Sequence, residues 1–289
     1  MTTRAGTAVP NLPAVMIEPL VRAALLEDLG HTGDITTDLT VPADARGAAV
    51  MATRADGVLA GLDLAETAFR LIDPALALTR LAADGDRIAK GREVLRVEGS
   101  ARGLLTAERV ALNFVCHLSG VATATRAMVD AIEGTGARIT CTRKTTPGLR
   151  SVEKHAVRLG GGANHRHGLD DAVLIKDNHI ALAGGIGPAV ARARAGLGHL
   201  VKVEVECDTP AQVEEALAAA ADVIMLDNMD VDTLRACVKT IAGRAIVEAS
   251  GNVRLDTVRA IAETGVDYIS SGALTHSVRA LDLGLDIAV

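Results

Sequence analysis

Between Arg138 and Lys176 the chain places eight Lys or Arg: Arg138, Arg143, Lys144, Arg150, Lys154, Arg158, Arg166 and Lys176. His155, His165 and His167 lie among them, and only Glu153, Asp170 and Asp171 oppose them. In a chain of formal net charge -6, this is a focused positive site for an anionic ligand. Arg143 and Lys144 directly follow the apolar run RITCT (138–142), where cations need partners. The run GGGANHRHG (160–168) lets backbone approach a ligand closely and presents His165 and Arg166 from a glycine-rich hinge. Arginine's planar fork suits a carboxylate. Two such forks beside a lysine suit a ligand with two carboxylates. Arg150, Lys154 and Arg158, spaced by four, read instead as a solvated basic helix face.

Acids and small polar groups complete the set. Glu206 and Asp227 each end an apolar run, and a carboxylate pair there can bind Mg²⁺, hold ribose hydroxyls or stabilise a cationic transition state. Neutralising Lys144 or Lys176 is the simpler use of the same acids. Ser250-Gly251 and Ser271-Gly272 follow two further apolar runs, where loops can bind phosphate or merely turn. Thr106 reads as the N-cap of a long helix with Arg109 in its first turn, where a cation opposes the helix dipole. His117, on the same helix, reads as a core residue. Cys141 and Cys207 lie near strand ends without a clear histidine partner and read as packing.

These groups need elements to carry them. Six apolar runs alternate with helical stretches: 138–142, 172–176, 200–206, 222–227, 245–250 and 266–270. The cores of the last four begin at Val201, Val223, Ala245 and Asp267, which are 22 residues apart each time. A fixed strand-plus-helix period indicates βα units and a parallel sheet with right-handed crossovers. A doubly wound sheet concentrates its site at one switch point, whereas a barrel recruits every strand end into one mouth. The even spread of functional side chains favours the barrel. Upstream, a helix over 17–29 ends at Gly30, and HTGDITTDLTVP reads as a loop. Residues 48–98 read as a small α+β unit with mostly antiparallel strands and a helix near 62–71. The domain boundary is expected on the long helix, between 116 and 117.

Composition excludes other classes. Of 289 residues 49% are hydrophobic, so the chain can bury a core. With two Phe, one Tyr and no Trp, no stacking platform for single-stranded nucleic acid can be built. The four cysteines form no CxxC pair and read as reduced thiols. No stretch approaches the roughly 18 apolar residues of a membrane span, and the first 16 residues read as a loose leader without a signal core. The expectation is a cytoplasmic protein with neither nucleic-acid nor membrane partners.

Taken together, EDLGHTGDITT (27–37), LLTAERVALNFVCHLSGVAT (104–123), TRKTTPGLR (142–150), GGGANHRHGLDDAVLIKDNH (160–179), VEVE (203–206), LDNM (226–229), EASGN (248–252) and ETGVDYISSGALTHS (263–277) resemble the quinolinate phosphoribosyltransferase family. The resemblance covers nearly the whole chain after residue 17. It implies an α/β fold of the type II phosphoribosyltransferase kind. An N-terminal α/β sandwich domain (1–116) would pack on an incomplete parallel α/β barrel (117–275), and a tail (276–289) would return to the first domain. It implies conversion of quinolinate and phosphoribosyl pyrophosphate (PRPP) to nicotinate mononucleotide, pyrophosphate and CO2, with Mg²⁺. It also implies a homodimer, or a hexamer built as a trimer of dimers, with sites shared between subunits.

Position by position, the match makes Thr142, Arg143, Lys144, His165, Arg166 and Lys176 the pocket for quinolinate and the pyrophosphate side of PRPP. Arg109 matches an arginine donated across the dimer. Glu206 and Asp227 match the acids that hold ribose and, directly or indirectly, the metal. Ser250, Gly251 and Asn252, with Ser271, Gly272 and Ala273, match the 5′-phosphate loops. Lys144, Lys176, Glu206 and Asp227 are the expected catalytic set. Cys141 and His155 depart from the pattern, standing where Asp and Tyr are usual. A paralogue associated with molybdenum transport shares many of these motifs, and a Schiff-base aldolase using Lys176 would fit the barrel alone.

Overall fold

A computed structural model describes residues 9–288; the first half of the expected leader, residues 1–8, therefore lies outside the described residues. Helix α1 (Ala14–Leu29) starts three residues earlier than the apolar spacing predicts and buries Ile17, Val21 and Leu25, one stripe at intervals of four. Part of the expected loop is helical. Asp34 caps α2 (Ile35–Thr40) by accepting the Thr37 N–H at 3.0 Å. Strand β1 (Arg46–Thr53), β2 (Gly57–Val58), α3 (Leu62–Ile72), β3 (Ala77–Arg80), β4 (Arg87–Ile88) and β5 (Glu93–Ser100) follow. Strands β1, β3 and β5 form an antiparallel sheet, as the alternating pattern predicts.

Helix α4 runs unbroken from Ala101 to Ala131. Its start precedes Thr106, whose hydroxyl donates to Asp34 Oδ2 at 3.0 Å instead of capping. Arg109 is therefore not in the first turn, and the dipole argument for it fails. Gly120 does not end the helix. A Cβ there would lie 2.3 Å from the Arg279 carbonyl oxygen and 3.1 Å from the Ala280 Cα, so the glycine permits a backbone contact with the returning tail. Gly120→Ala should cost about 1–3 kcal/mol by overpacking, read as a lower urea midpoint with unchanged slope. An unchanged midpoint would show that the tail gives way freely.

The chain divides into two compact units. The first contains residues up to Arg126, Thr146–Gly161 and Ser277 onward; the second contains Ala127–Thr145 and Gly162–His276. This division falls at Arg126, ten residues beyond the expected boundary and, like it, within the continuous α4. It also assigns α5 (Arg150–Leu159) to the first unit, although α5 falls between barrel strands in sequence. Val152 and Ala156 of α5 share an apolar pocket with Ile17, Ala60 and Leu118. The solvated-face reading of α5 fails at its centre: Lys154 and Glu153 are both 0% exposed. Glu153 accepts from the Thr146 N–H at 3.1 Å and lies 2.8 Å from His117 Nε2. His117 is thus a polar partner rather than apolar core. His155 is half-buried, and burial, then the Arg158 charge, lowers its pKa.

The second unit is built from β6 (Arg138–Thr140), β7 (Val173–Ile175), β8 (Val203–Cys207), β9 (Val223–Asp227), β10 (Ile246–Ser250) and β11 (Tyr268–Ser270). They pair in the order β6-β11-β10-β9-β8-β7, every pair parallel. Strands β6 and β7 are not hydrogen-bonded to each other, so the α/β barrel is incomplete. Beside β6, a single parallel bridge from Thr140 to Ala163 of the glycine loop occupies that edge. Helices α6 (Asp177–Ala183), α7 (Ile186–Gly196), α8 (Pro210–Ala218), α9 (Val231–Ile241) and α10 (Val258–Ala262) lie in the crossovers, and α11 (Ala273–His276) follows β11. Along β8 the alternate residues Val203, Val205 and Cys207 are buried and face the helical layer, leaving Glu204 and Glu206 on the other face. After α11 the chain returns to the first unit, where β12 (Leu283–Ala288) pairs antiparallel with β1.

Candidate active site

The period-two alternation gives each strand of the second unit a side chain at its carboxyl end that points inward. Six ends therefore converge on one cavity of about 750 Å³. Thr142, Arg143 and Lys144 come from the end of β6, Lys176 from β7, Glu206 from β8 and Asp227 from β9. Ser250, Gly251 and Asn252 come from β10, and Ser271, Gly272 and Ala273 from β11. His165 and Arg166 enter from the glycine loop. An open flat sheet could not gather all of these. Arg109 is the one expected site residue that does not line the cavity; it is exposed on α4 in the first unit. No aromatic residue lines the cavity. Tyr268 instead stacks under Arg138, 5.7 Å from ring centre to guanidinium.

The cationic side is arranged around Arg166. Its guanidinium donates to the Ala172 carbonyl oxygen at 3.2 Å. Burial, then the charge of Arg143, pulls its pKa below the usual arginine value. Two guanidiniums close enough to oppose each other make a site that an incoming dianion relieves. Behind Arg143, the departure at Cys141 proves structural: Cys141 is buried, and its thiol donates to Asn164 Oδ1 at 3.3 Å. That contact anchors the residue next to His165. Lys144 is exposed, and the Thr275 hydroxyl donates to its carbonyl oxygen at 2.7 Å. A Cβ on Gly272 would lie 2.9 Å from His276 Nε2 and 3.0 Å from Lys144 Cδ, so this glycine leaves room for both side chains.

The acidic side is held by hydrogen bonds. Lys176 Nζ is 2.7 Å from Glu206 Oε2, and the Lys176 backbone N–H donates to His179 Nδ1 at 3.0 Å. Asn228 donates to Asp227 Oδ2 at 2.5 Å and accepts from Asn252 at 3.1 Å. This chain joins the acid at the end of β9 to the loop after β10. Gly251 closes it with φ +92°, and a Cβ there would lie 2.2 Å from Asn228 Oδ1. If the loop holds the 5′-phosphate of PRPP, as the family resemblance implies, Gly251→Ala should displace Asn228, strain the loop and weaken PRPP binding about tenfold or more, measured by titration calorimetry. Unchanged PRPP affinity would remove the loop from the phosphate site.

Several cavity residues escaped the sequence reading: Leu174, Met225, Asn228, Glu248, Val253, Arg254, Ser270 and His276. Counting back two residues from Glu206 and Ser250 along their strands would have found Glu204 and Glu248, both buried and facing His165. The helix after Asn252 starts only at Val258, and the helix after Gly272 already at Ala273.

Known proteins share this fold. The family model for quinolinate phosphoribosyl transferase, N-terminal domain, matches residues 34–119, and that for its C-terminal domain matches residues 121–286. A nicotinate-nucleotide pyrophosphorylase (carboxylating) of Mycobacterium leprae is 47% identical over 274 residues, covering 92% of this chain and 95% of that protein. A chloroplastic protein of the same name from Oryza sativa subsp. japonica is 47% identical over 302 residues, with 98% of this chain and 81% of that protein covered. The solved nicotinate-nucleotide pyrophosphorylase from Francisella tularensis superposes with a TM-score of 0.93 at 40% identity, covering 98% of this chain and 99% of that one.

Proposed function

The chain belongs to the quinolinate phosphoribosyltransferase family, and we infer that its barrel mouth joins quinolinate to PRPP, giving nicotinate mononucleotide, pyrophosphate and CO2 for de novo NAD synthesis. The observation that carries this reading is the division of one cavity. Arg143, Lys144, Arg166 and Lys176 come from three segments, while Glu206, Asp227 and two Ser-Gly loops come from the other four strand ends. The first set suits two carboxylates and a pyrophosphate. The second suits a ribose with its 5′-phosphate, bound by backbone N–H groups of residues 250–252 and 271–273.

Each step then has a residue to support it. Arg143 and Arg166 hold the carboxylates of quinolinate and aim the ring nitrogen at C1 of the ribose. The nitrogen lone pair forms the new bond as the C1–oxygen bond to pyrophosphate breaks, and the leaving group departs with that electron pair. Lys144 and His276 flank the path of the departing anion. Glu206 and Asp227 stabilise positive charge on the sugar. The bond from ring C2 to its carboxylate then breaks to release CO2. The electron pair stays on C2 beside the ring cation, and one of the two mouth lysines, Lys144 or Lys176, delivers the proton. The pyridinium is its own electron sink, so the organic chemistry needs no further cofactor.

Mg²⁺ is part of the proposal. Glu206 and Asp227 are hard oxygen donors at adjacent strand ends, each with one oxygen fixed by a neighbour. This fits an ion that binds one or two carboxylates, directly or through water, plus substrate phosphates. It would neutralise the leaving pyrophosphate.

Arg109 supports a second element, a dimer with shared sites, since it does not line its own chain's cavity. A larger assembly of such dimers would use the same contact. The four free cysteines fit a reducing, cytoplasmic setting, and among the described residues no helix is long and apolar enough to cross a membrane. Incubation with quinolinate, PRPP and Mg²⁺ tests the reading. Equal amounts of nicotinate mononucleotide, pyrophosphate and CO2 are expected, and nicotinate offered instead of quinolinate should give no mononucleotide.

A further inference from the structure

Beneath the mouth three side chains from three elements meet. His165 of the glycine loop, Glu204 of β8 and Glu248 of β10 bring one nitrogen or oxygen each within 4.8 Å of one another. Among the described residues no other group of three or more His, Cys, Asp or Glu is so close. The carboxylates are 5% and 4% exposed, in the middle of strands that a parallel sheet ordinarily builds from apolar residues.

The hydrogen-bond pattern assigns the protons. The Arg166 backbone N–H donates to His165 Nδ1 at 2.9 Å, so that nitrogen carries no proton. The ring proton is therefore on Nε2, which lies 2.9 Å from Glu204 Oε2. The same nitrogen is 3.6 Å from Glu248 Oε1, too far for a second hydrogen bond. One oxygen of each carboxylate is buried without a hydrogen-bond partner. A metal ion is a poor occupant, because both ring nitrogens are already engaged. Two ionised carboxylates side by side in this burial would be costly. A proton solves the same problem.

We propose that Glu248 holds a proton beneath the substrate and is a positioning residue for His165, so that the dianionic substrate enters the mouth together with a proton. The inference rests on the quinolinate reading given above. The positioning runs through hydrogen bonds: neutral Glu248 preserves the bond between His165 and Glu204, His165 fixes the Arg166 peptide, and Arg166 projects its guanidinium into the cavity. Glu204 from β8, His165 from the loop and Ser270 from β11 face Glu248, and Met225 is its register partner on β9. Burial, then the Glu204 charge, pushes Glu248 up to about 7, against the opposing effects of His165 and Ser270. Two further negative charges arriving at Arg143 and Arg166 push in the same direction. Because the bound state favours the protonated acid, affinity is greatest below pH 7 and falls as pH rises through that value.

Titration calorimetry with quinolinate, in buffers of different ionisation enthalpy at about pH 7.5, should show uptake of a fraction of a proton. Affinity should fall roughly fivefold to tenfold between about pH 6.5 and about pH 8. Glu248→Gln keeps a neutral group of the same shape and should bind with no proton uptake and a flat pH profile. Equal uptake in wild type and Glu248→Gln, or none in wild type that does bind, overturns the inference and leaves the functional reading standing. Absence of quinolinate binding to wild type contradicts the functional reading instead. Infrared spectra of the ligand-free chain give an independent test. A carboxylic-acid C=O band at about pH 6 should disappear in Glu248→Gln, and absence of that band from wild type also overturns the inference.

Discussion

Arg166→Ala should abolish quinolinate binding while leaving the fold intact. The residue sits on a loop at the cavity, outside the buried core, and its side chain makes a single hydrogen bond, to the Ala172 carbonyl oxygen. Its removal therefore creates no core void. It also relieves the repulsion with Arg143 that lowers the Arg166 pKa, so the urea midpoint should stay level or rise slightly. Binding is another matter. A charge-assisted hydrogen bond contributes about 1.5–3 kcal/mol, and a bidentate fork makes two. The carboxylate left behind would also face a partly desolvated site without a partner. The expected loss is about 3 kcal/mol or more, roughly 100-fold or greater in Kd. Arg166→Lys should recover only part of it, because an ammonium cannot reproduce the planar fork. Calorimetry with quinolinate, alongside circular dichroism, makes the measurement. Unchanged affinity in a folded variant would remove Arg166 from the substrate pocket.

Arg109→Ala should inactivate the enzyme although Arg109, on α4, does not line the cavity of its own chain. The effect should match that of a first-rank site residue, about 100-fold or more in kcat/KM, if the guanidinium reaches substrate from a second copy. Complementation separates that role from a structural one. Lys144→Ala disables the cavity but keeps Arg109, whereas Arg109→Ala keeps the cavity. In a mixed dimer one of the two sites then combines an intact cavity with an intact Arg109. Mixing the two inactive variants should restore up to about half of the activity of each mixed dimer. No recovery in verified mixed dimers would contradict sharing, and full activity of Arg109→Ala alone would remove the residue from the reaction.

The catalytic architecture was largely legible because two periods are written in the sequence. The 22-residue spacing of Val201, Val223, Ala245 and Asp267 located β8 to β11. The type of residue at each strand end placed Lys176, Glu206, Asp227, Ser250 and Ser271 around one mouth. Local periodicity also found α3 and the antiparallel character of the sheet around it. What it missed depended on partners distant in sequence. Lys154 and Arg150 look alike in a helix, and only packing of α5 into the first unit buries one of them. Thr106 resembles a cap, but its actual partner is Asp34, 72 residues away. Asp34 in turn makes a helix of what reads as a loop. Glu204 and Glu248 were within reach of the strand period. They were missed because buried acids in apolar strands run against the usual parallel-sheet pattern, and that conflict is itself a mark of function.

In this reading one cavity couples transfer of a phosphoribosyl group to loss of a carboxylate. Quinolinate isotopically labelled in its 2-carboxylate tests it most directly. Labelled CO2 should appear only when PRPP is present, in step with nicotinate mononucleotide, because C2 can hold the departing electron pair only once the ring nitrogen is alkylated. Labelled CO2 released without PRPP, or mononucleotide formed with the label retained, would contradict the account.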